Sequence, residues 1–144
     1  MDISIFLAKL MGFYLVIGGL AYFLKRPFLR EVIEDFYNSP GLVMVASAMN
    51  LILGLLVVLN HNIWELSWKV IITIIGYLVL FKGIFHLFFP EWAKKLSEKY
   101  SKADIFVYSG VISLALGIYL LYYAYADSFQ ETHVSFLQRA FLLR

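Results

Sequence analysis

Four long apolar runs, 3–24, 41–59, 70–89 and 105–125, constrain this chain more than any other feature. Each is close to the roughly 20 residues that an α-helix needs to cross a hydrocarbon core. An unpaired backbone amide or carbonyl in lipid costs several kcal/mol, so a crossing segment is either a helix or a strand of a closed barrel. None of the runs shows the period-2 alternation of a barrel strand. The expected fold is therefore all-α, a polytopic membrane four-helix bundle in a single transmembrane domain spanning 1–144. Composition points the same way, since 62% hydrophobic against 15% charged residues is far from a soluble domain. The first run starts behind Asp2, exceeds an h-region in length and ends in Lys25-Arg26-Pro27 without a small-residue cleavage pattern, so it reads as a retained helix.

Basic residues set the expected orientation. Lys25, Arg26 and Arg30 follow the first run and Lys94, Lys95, Lys99 and Lys102 the third, whereas Lys69, Arg139 and Arg144 lie on the opposite side. This bias predicts cytoplasmic connectors at 25–40 and 90–104, with both termini outside a cell inner membrane. In both connectors a proline (Pro27, Pro90) opens an amphipathic stretch, as suits the first turn of a helix. Phe28, Leu29, Val32, Ile33 and Phe36 share one face of the first; Trp92, Ala93, Leu96 and Tyr100 share one face of the second. Both read as interfacial helices.

An offset of 63 residues aligns Tyr14-Leu15-Val16 with Tyr77-Leu78-Val79, Pro27 with Pro90, Tyr37 with Tyr100 and Gly54 with Gly117. An offset of 64 instead pairs Gly12 with Gly76 and Gly19 with Gly83, leaving the register inside the first and third runs open by one residue. The pattern predicts a tandem duplication of a two-span hairpin, with units 3–61 and 66–125 related by an axis along the membrane normal. Small residues let membrane helices approach closely. Gly12, Gly19, Gly76, Gly83, Gly110 and Gly117, together with a stripe of Ala46, Asn50 and Gly54, are therefore the expected packing faces.

Ionisable groups at membrane depth are the first places to look for chemistry. All ten carboxylates lie outside the four runs, which argues against a proton-coupled antiporter of the small multidrug type. The formal charge of +2 is too small and dispersed for nucleic acid, and the absence of cysteine removes thiolate metal sites and disulfide chemistry. No cofactor motif or catalytic constellation stands out. Lys82 lies well inside the third run, with His86 one turn nearer the surface on the same face. Two readings fit: a lysine that snorkels to the headgroups, or a lipid or anion site in which the pair holds a phosphate. Asn50 is expected to make an interhelical polar contact, or else to line a polar path. Lys9 is expected to reach the interface or Glu65. His61, Glu65 and His133 would share the outer side, without the spacing of helical metal ligands. Trp64 and Trp68, with Tyr119, Tyr122, Tyr123 and Tyr125, fit an interfacial aromatic belt. The tail 127–144 is too short to span and has no clean apolar face.

The run Asn60 to Pro90, with His61-Asn62, Trp64, Trp68, Gly76-Tyr77, Lys82-Gly83 and Phe89-Pro90, resembles a group of small uncharacterised bacterial four-span membrane proteins. Their recurring pattern is similar to HN-x-W-x-x-x-W, then G-Y/W-x-x-x-x-KG, then a proline ending the span. The resemblance implies an inner-membrane protein and no activity. The expectation is thus a non-enzymatic accessory, assembly or lipid-interacting protein, in contact with membrane lipids and with a second copy or a membrane complex. The alternative is a small oligomeric transporter or channel with Lys82 and Asn50 facing a polar cavity. An enzyme ranks third.

Overall fold

The structure, a computed structural model, describes residues 2–101 and 105–142; Lys102 and Arg144 lie outside them. Six helices follow in order: α1 Ile3–Leu24, α2 Arg26–Asn38, α3 Pro40–Asn60, α4 Lys69–Phe88, α5 Pro90–Ser101 and α6 Ile105–Leu142. Among the described residues, α1, α3, α4 and α6 are long and apolar enough to cross a membrane, and the chain is a multi-pass membrane protein. At 1.5 Å per residue the 21 residues of α3 measure about 31 Å, the thickness of a hydrocarbon core. Asp2 caps α1 by accepting the Ser4 amide at 3.3 Å. Prolines stand in the first turns of α2, α3 and α5, where a missing N–H costs nothing, so the chain turns sharply at each. α2 and α5 are short, amphipathic and on the same end of the bundle.

The helix that makes the fourth crossing does not end at Tyr125. The segment expected as a separate tail continues α6 through Leu142, a 38-residue helix about 57 Å long that projects well past the core. The physical reason is local: after Gly117 no glycine or proline interrupts it, and Ala124, Ala126, Gln130, Glu131, Leu137, Gln138, Arg139 and Ala140 are good helix formers.

The main interfaces pair α1 with α6 and α3 with α4, while α1 and α4 meet over a smaller area. The first span of each expected unit therefore packs on the last span of the other, and the two interlock. All seven glycines expected at packing faces are buried. A Cβ added to Gly54 would lie 2.5 Å from the Leu80 amide nitrogen, and one on Gly83 2.6 Å from the Leu51 amide nitrogen, so backbones there are in contact. Two contacts of the pairs correspond: Gly19 meets Leu114 as Gly83 meets Leu51, and Gly117 meets Val16 as Gly54 meets Leu80; Gly12 meets Leu121, whereas Gly76 meets Val57 first and Val58 only at 3.6 Å. Matching positions are 64 residues apart between α1 and α4 and 63 apart between α3 and α6.

In the half of the bundle near the N-terminus, Ile5, Ala8, Trp68, Ile72, Leu120 and Ala124 form a buried core. Trp68 belongs to this core rather than to a belt: it stacks on Tyr123 at 6.5 Å, and its Nε1–H donates to Asp127 Oδ2 at 3.0 Å. Trp64, by contrast, is exposed and donates to Asn62 Oδ1. Lys9 does not reach Glu65; its ammonium donates to Ser128 Oγ at 3.3 Å and lies 4.7 Å from the Tyr125 ring centre. The extended α6 brings both partners within reach. At the other end, under α2 and α5, the spans diverge and leave space.

Candidate functional site

That space is a cavity of about 380 Å³ among all six helices' described residues except α6's far half. Phe36, Phe85, Ile33, Leu96 and Ala93 give it apolar walls, and Tyr37, His86, Lys82, Asn50, Ser47 and Ser97 supply polar groups. Each is placed by a periodicity already visible in the sequence. Ala46 and Asn50, one turn apart on α3, face it together, as do Lys82 and His86, one turn apart on α4. Ile33, Phe36 and Tyr37 form the half-buried stripe of α2, and Ala93 and Ser97 that of α5.

His86 is the hub. Its Nδ1 lies 2.9 Å from the Lys82 carbonyl oxygen, which only accepts, so Nδ1 carries the proton. In the neutral ring Nε2 is then an acceptor, and the Tyr37 hydroxyl, 2.9 Å away, donates to it. Burial pushes the Tyr37 phenol above its ordinary value, against the opposing hydrogen bond with Ser97, so the phenol stays protonated and able to donate. Tyr37 thereby ties α2 to both α4 and α5. A second tie is the Lys94 ammonium, which donates to Asn38 Oδ1 at 2.9 Å.

Lys82 is exposed at the cavity's edge, six residues and about 9 Å from the end of α4. Among the described residues its ammonium meets no carboxylate. Asn50 lines the cavity instead of bridging helices; among the described residues no hydrogen bond joins its side chain to a neighbouring span. The sequence pairing of Lys82 with His86 is thus realised, and Asn50 joins them. Tyr37 and Ser97 were missed. The available signal was their position: Tyr37 follows Ile33 by one turn on the apolar stripe of α2, and Ser97 follows Ala93 by one turn on α5.

On the opposite end His61 is buried and fully engaged. Thr73 Oγ1 accepts the Ile63 amide at 3.2 Å and lies 3.1 Å from the Ile63 carbonyl oxygen, to which it donates. It then accepts from His61 Nδ1 at 3.1 Å, leaving Nε2 to accept the Ser4 hydroxyl at 3.1 Å. The ring therefore locks the α3–α4 connector to the start of α1. His133 lies on the α6 extension, its ring 4.5 Å from that of Phe129. His61, Glu65 and His133 are not brought together, and no group of three or more metal-ligating side chains exists among the described residues.

The fold and this cavity define a multi-pass, all-α membrane protein with a polar-floored pocket at one end of its bundle. Comparison with known proteins finds no matching family model, no matching curated protein and no matching solved structure.

Proposed function

We propose that this protein is a non-enzymatic, lipid-interacting membrane protein that holds the phosphate of a phospholipid headgroup in the cavity beneath α2 and α5. One observation carries the reading: Lys82, without a carboxylate partner among the described residues, is rooted about 9 Å inside a span and stands exposed at the edge of an apolar-walled cavity. A cation at that depth is costly without compensation, and a phosphate supplies it. Lysine binds phosphate as a point charge, and the Asn50 amide adds a neutral donor beside it, whereas the Ser47 hydroxyl is spent on the Val43 carbonyl oxygen. The apolar walls suit the first carbons of acyl chains.

In this reading the cavity lies at the cytoplasmic leaflet of an inner membrane, with both termini outside, on the strength of the basic connectors. The protein acts as an accessory or assembly factor, alone or with a second copy. Native mass spectrometry of protein released from mild detergent tests the site. The unmodified chain should carry phospholipid, and Lys82→Met should lower that occupancy about tenfold, the equivalent of one charge-assisted contact of about 1.4 kcal/mol. Equal occupancy in the two proteins would overturn the reading.

A further inference from the structure

A second cavity of about 500 Å³ adjoins the first, lined by Asn38, Val43, Met44, Leu87, Glu91 and Lys94 among others. Tyr37 and His86 line both, so their hydrogen bond is the partition between two chambers. The chambers differ in charge. The first holds Lys82 and, among its lining residues, no carboxylate. The second holds a carboxylate, Glu91, and Lys94, whose ammonium keeps its charge while donating to the neutral Asn38 Oδ1. Among the described residues Glu91 makes no ion pair. Its place in the first turn of α5 suits the helix dipole, but that role does not require it to face a chamber.

A free cation on one side of a single side-chain pair and an unpaired carboxylate on the other match a ligand with the reverse charges on one short arm. We propose that the two chambers form one site for a phospholipid headgroup bearing a primary amine beside its phosphate, with the phosphate at Lys82 and the Tyr37 hydroxyl and the ammonium at Glu91. The inference rests on the phosphate reading above and names its substrate class. Tyr37 sits between the two charges, where its hydroxyl can turn from His86 to a phosphate oxygen. Val43, Met44 and Leu87 leave an apolar surface for the attached chain. A headgroup ending in glycerol would set a hydroxyl, not a cation, against Glu91.

The experiment incubates the full-length protein in detergent with equal amounts of phosphatidylethanolamine and phosphatidylglycerol and reads bound lipid by native mass spectrometry. The expected result is an ethanolamine-to-glycerol ratio of about three, the size of effect that one partly exposed ion pair carries. Glu91→Gln should lower bound phosphatidylethanolamine about threefold and so bring that ratio near one; Glu91 is exposed, so this variant should fold normally. Lys82→Met should lower both lipids, and Lys82→Arg should restore them, which separates lost charge from lost folding. A preference for the glycerol lipid, or a ratio that Glu91→Gln does not move, would overturn the amine assignment alone. Unchanged binding of both lipids in Lys82→Met would overturn the phosphate reading beneath it. Full displacement of lipid by excess inorganic phosphate would assign the site to free phosphate and overturn the headgroup proposal.

Discussion

Two histidines at opposite ends of the bundle show how depth and partners give one residue type different work. His86 faces a cavity and accepts the Tyr37 phenol at Nε2, whereas His61 is buried with both nitrogens spent on Thr73 and Ser4. Burial holds the His61 imidazole below its ordinary value. The unfolded chain therefore takes up a proton first as pH falls below about 6.5, and stability is complete above that point and declines beneath it. Asp2 behaves likewise but lower: the Lys69 hydrogen bond holds its carboxyl below the usual range, so its contribution is lost only at more acidic pH. Thermal unfolding followed by tryptophan fluorescence should show a midpoint falling between pH 7 and pH 5. His61→Asn should lower the midpoint at pH 7 and flatten that slope; an unaltered slope would assign the effect elsewhere. Lys82, His86 and Asn50 were legible because polarity inside an apolar run is conspicuous in one dimension. Tyr37 was not, because its partner lies 49 residues away and tyrosine is unremarkable at a membrane surface. The burial of Trp68 was hidden for a related reason, since it depends on Asp127 arriving from an extended α6.

At the scale of helices the interfaces are made by backbone proximity at particular glycines, and position decides which of them matter. A Leu at Gly54 would place its Cβ against the backbone of Leu80, where no flexible side-chain tip can yield. Overpacking of this kind costs roughly 1 to 3 kcal/mol. Gly18, next to Gly19 in the chain and so about 100° away around the helix, has nothing within 4 Å of an added Cβ. Gly18→Leu should consequently leave unfolding in detergent unchanged within about 0.5 kcal/mol, while Gly54→Leu lowers its midpoint clearly. Equal effects would show that the α3–α4 seam is looser than its geometry. The seven-residue recurrence of Gly12 and Gly19, Gly76 and Gly83, and Gly110 and Gly117 already pointed to these faces, because close packing in lipid has few other solutions. The end of α6 was not legible by the same means. Hydropathy marks where a helix leaves lipid, and a helix whose formers continue into water has no reason to stop there.

For the whole molecule, the correspondence of glycine contacts places each half's polar residues against their counterparts in the other. Positions 64 residues before Lys82 and His86 hold Gly18 and Tyr22, and the position 63 residues after Asn50 holds Ser113. The cation, the imidazole and the amide thus exist in only one of two matching settings, so the shared scaffold does not require them. This strengthens the assignment of the cavity as the place where the molecule acts, and it makes the direction that cavity faces the next question. The chain has no cysteine, so a single introduced thiol reports unambiguously. Leu66, at the end bearing the termini, and Lys95, on α5 beside the chambers, are both exposed, and neither makes a described contact that a substitution would break. In intact cells a membrane-impermeant maleimide should label Leu66→Cys at once and Lys95→Cys only after permeabilisation. The reverse pattern would turn the bundle over. The lipid partner of Lys82 and Glu91 would then be drawn from the outer leaflet, and the seven basic residues of the connectors and their flanks would need an explanation other than cytoplasmic retention.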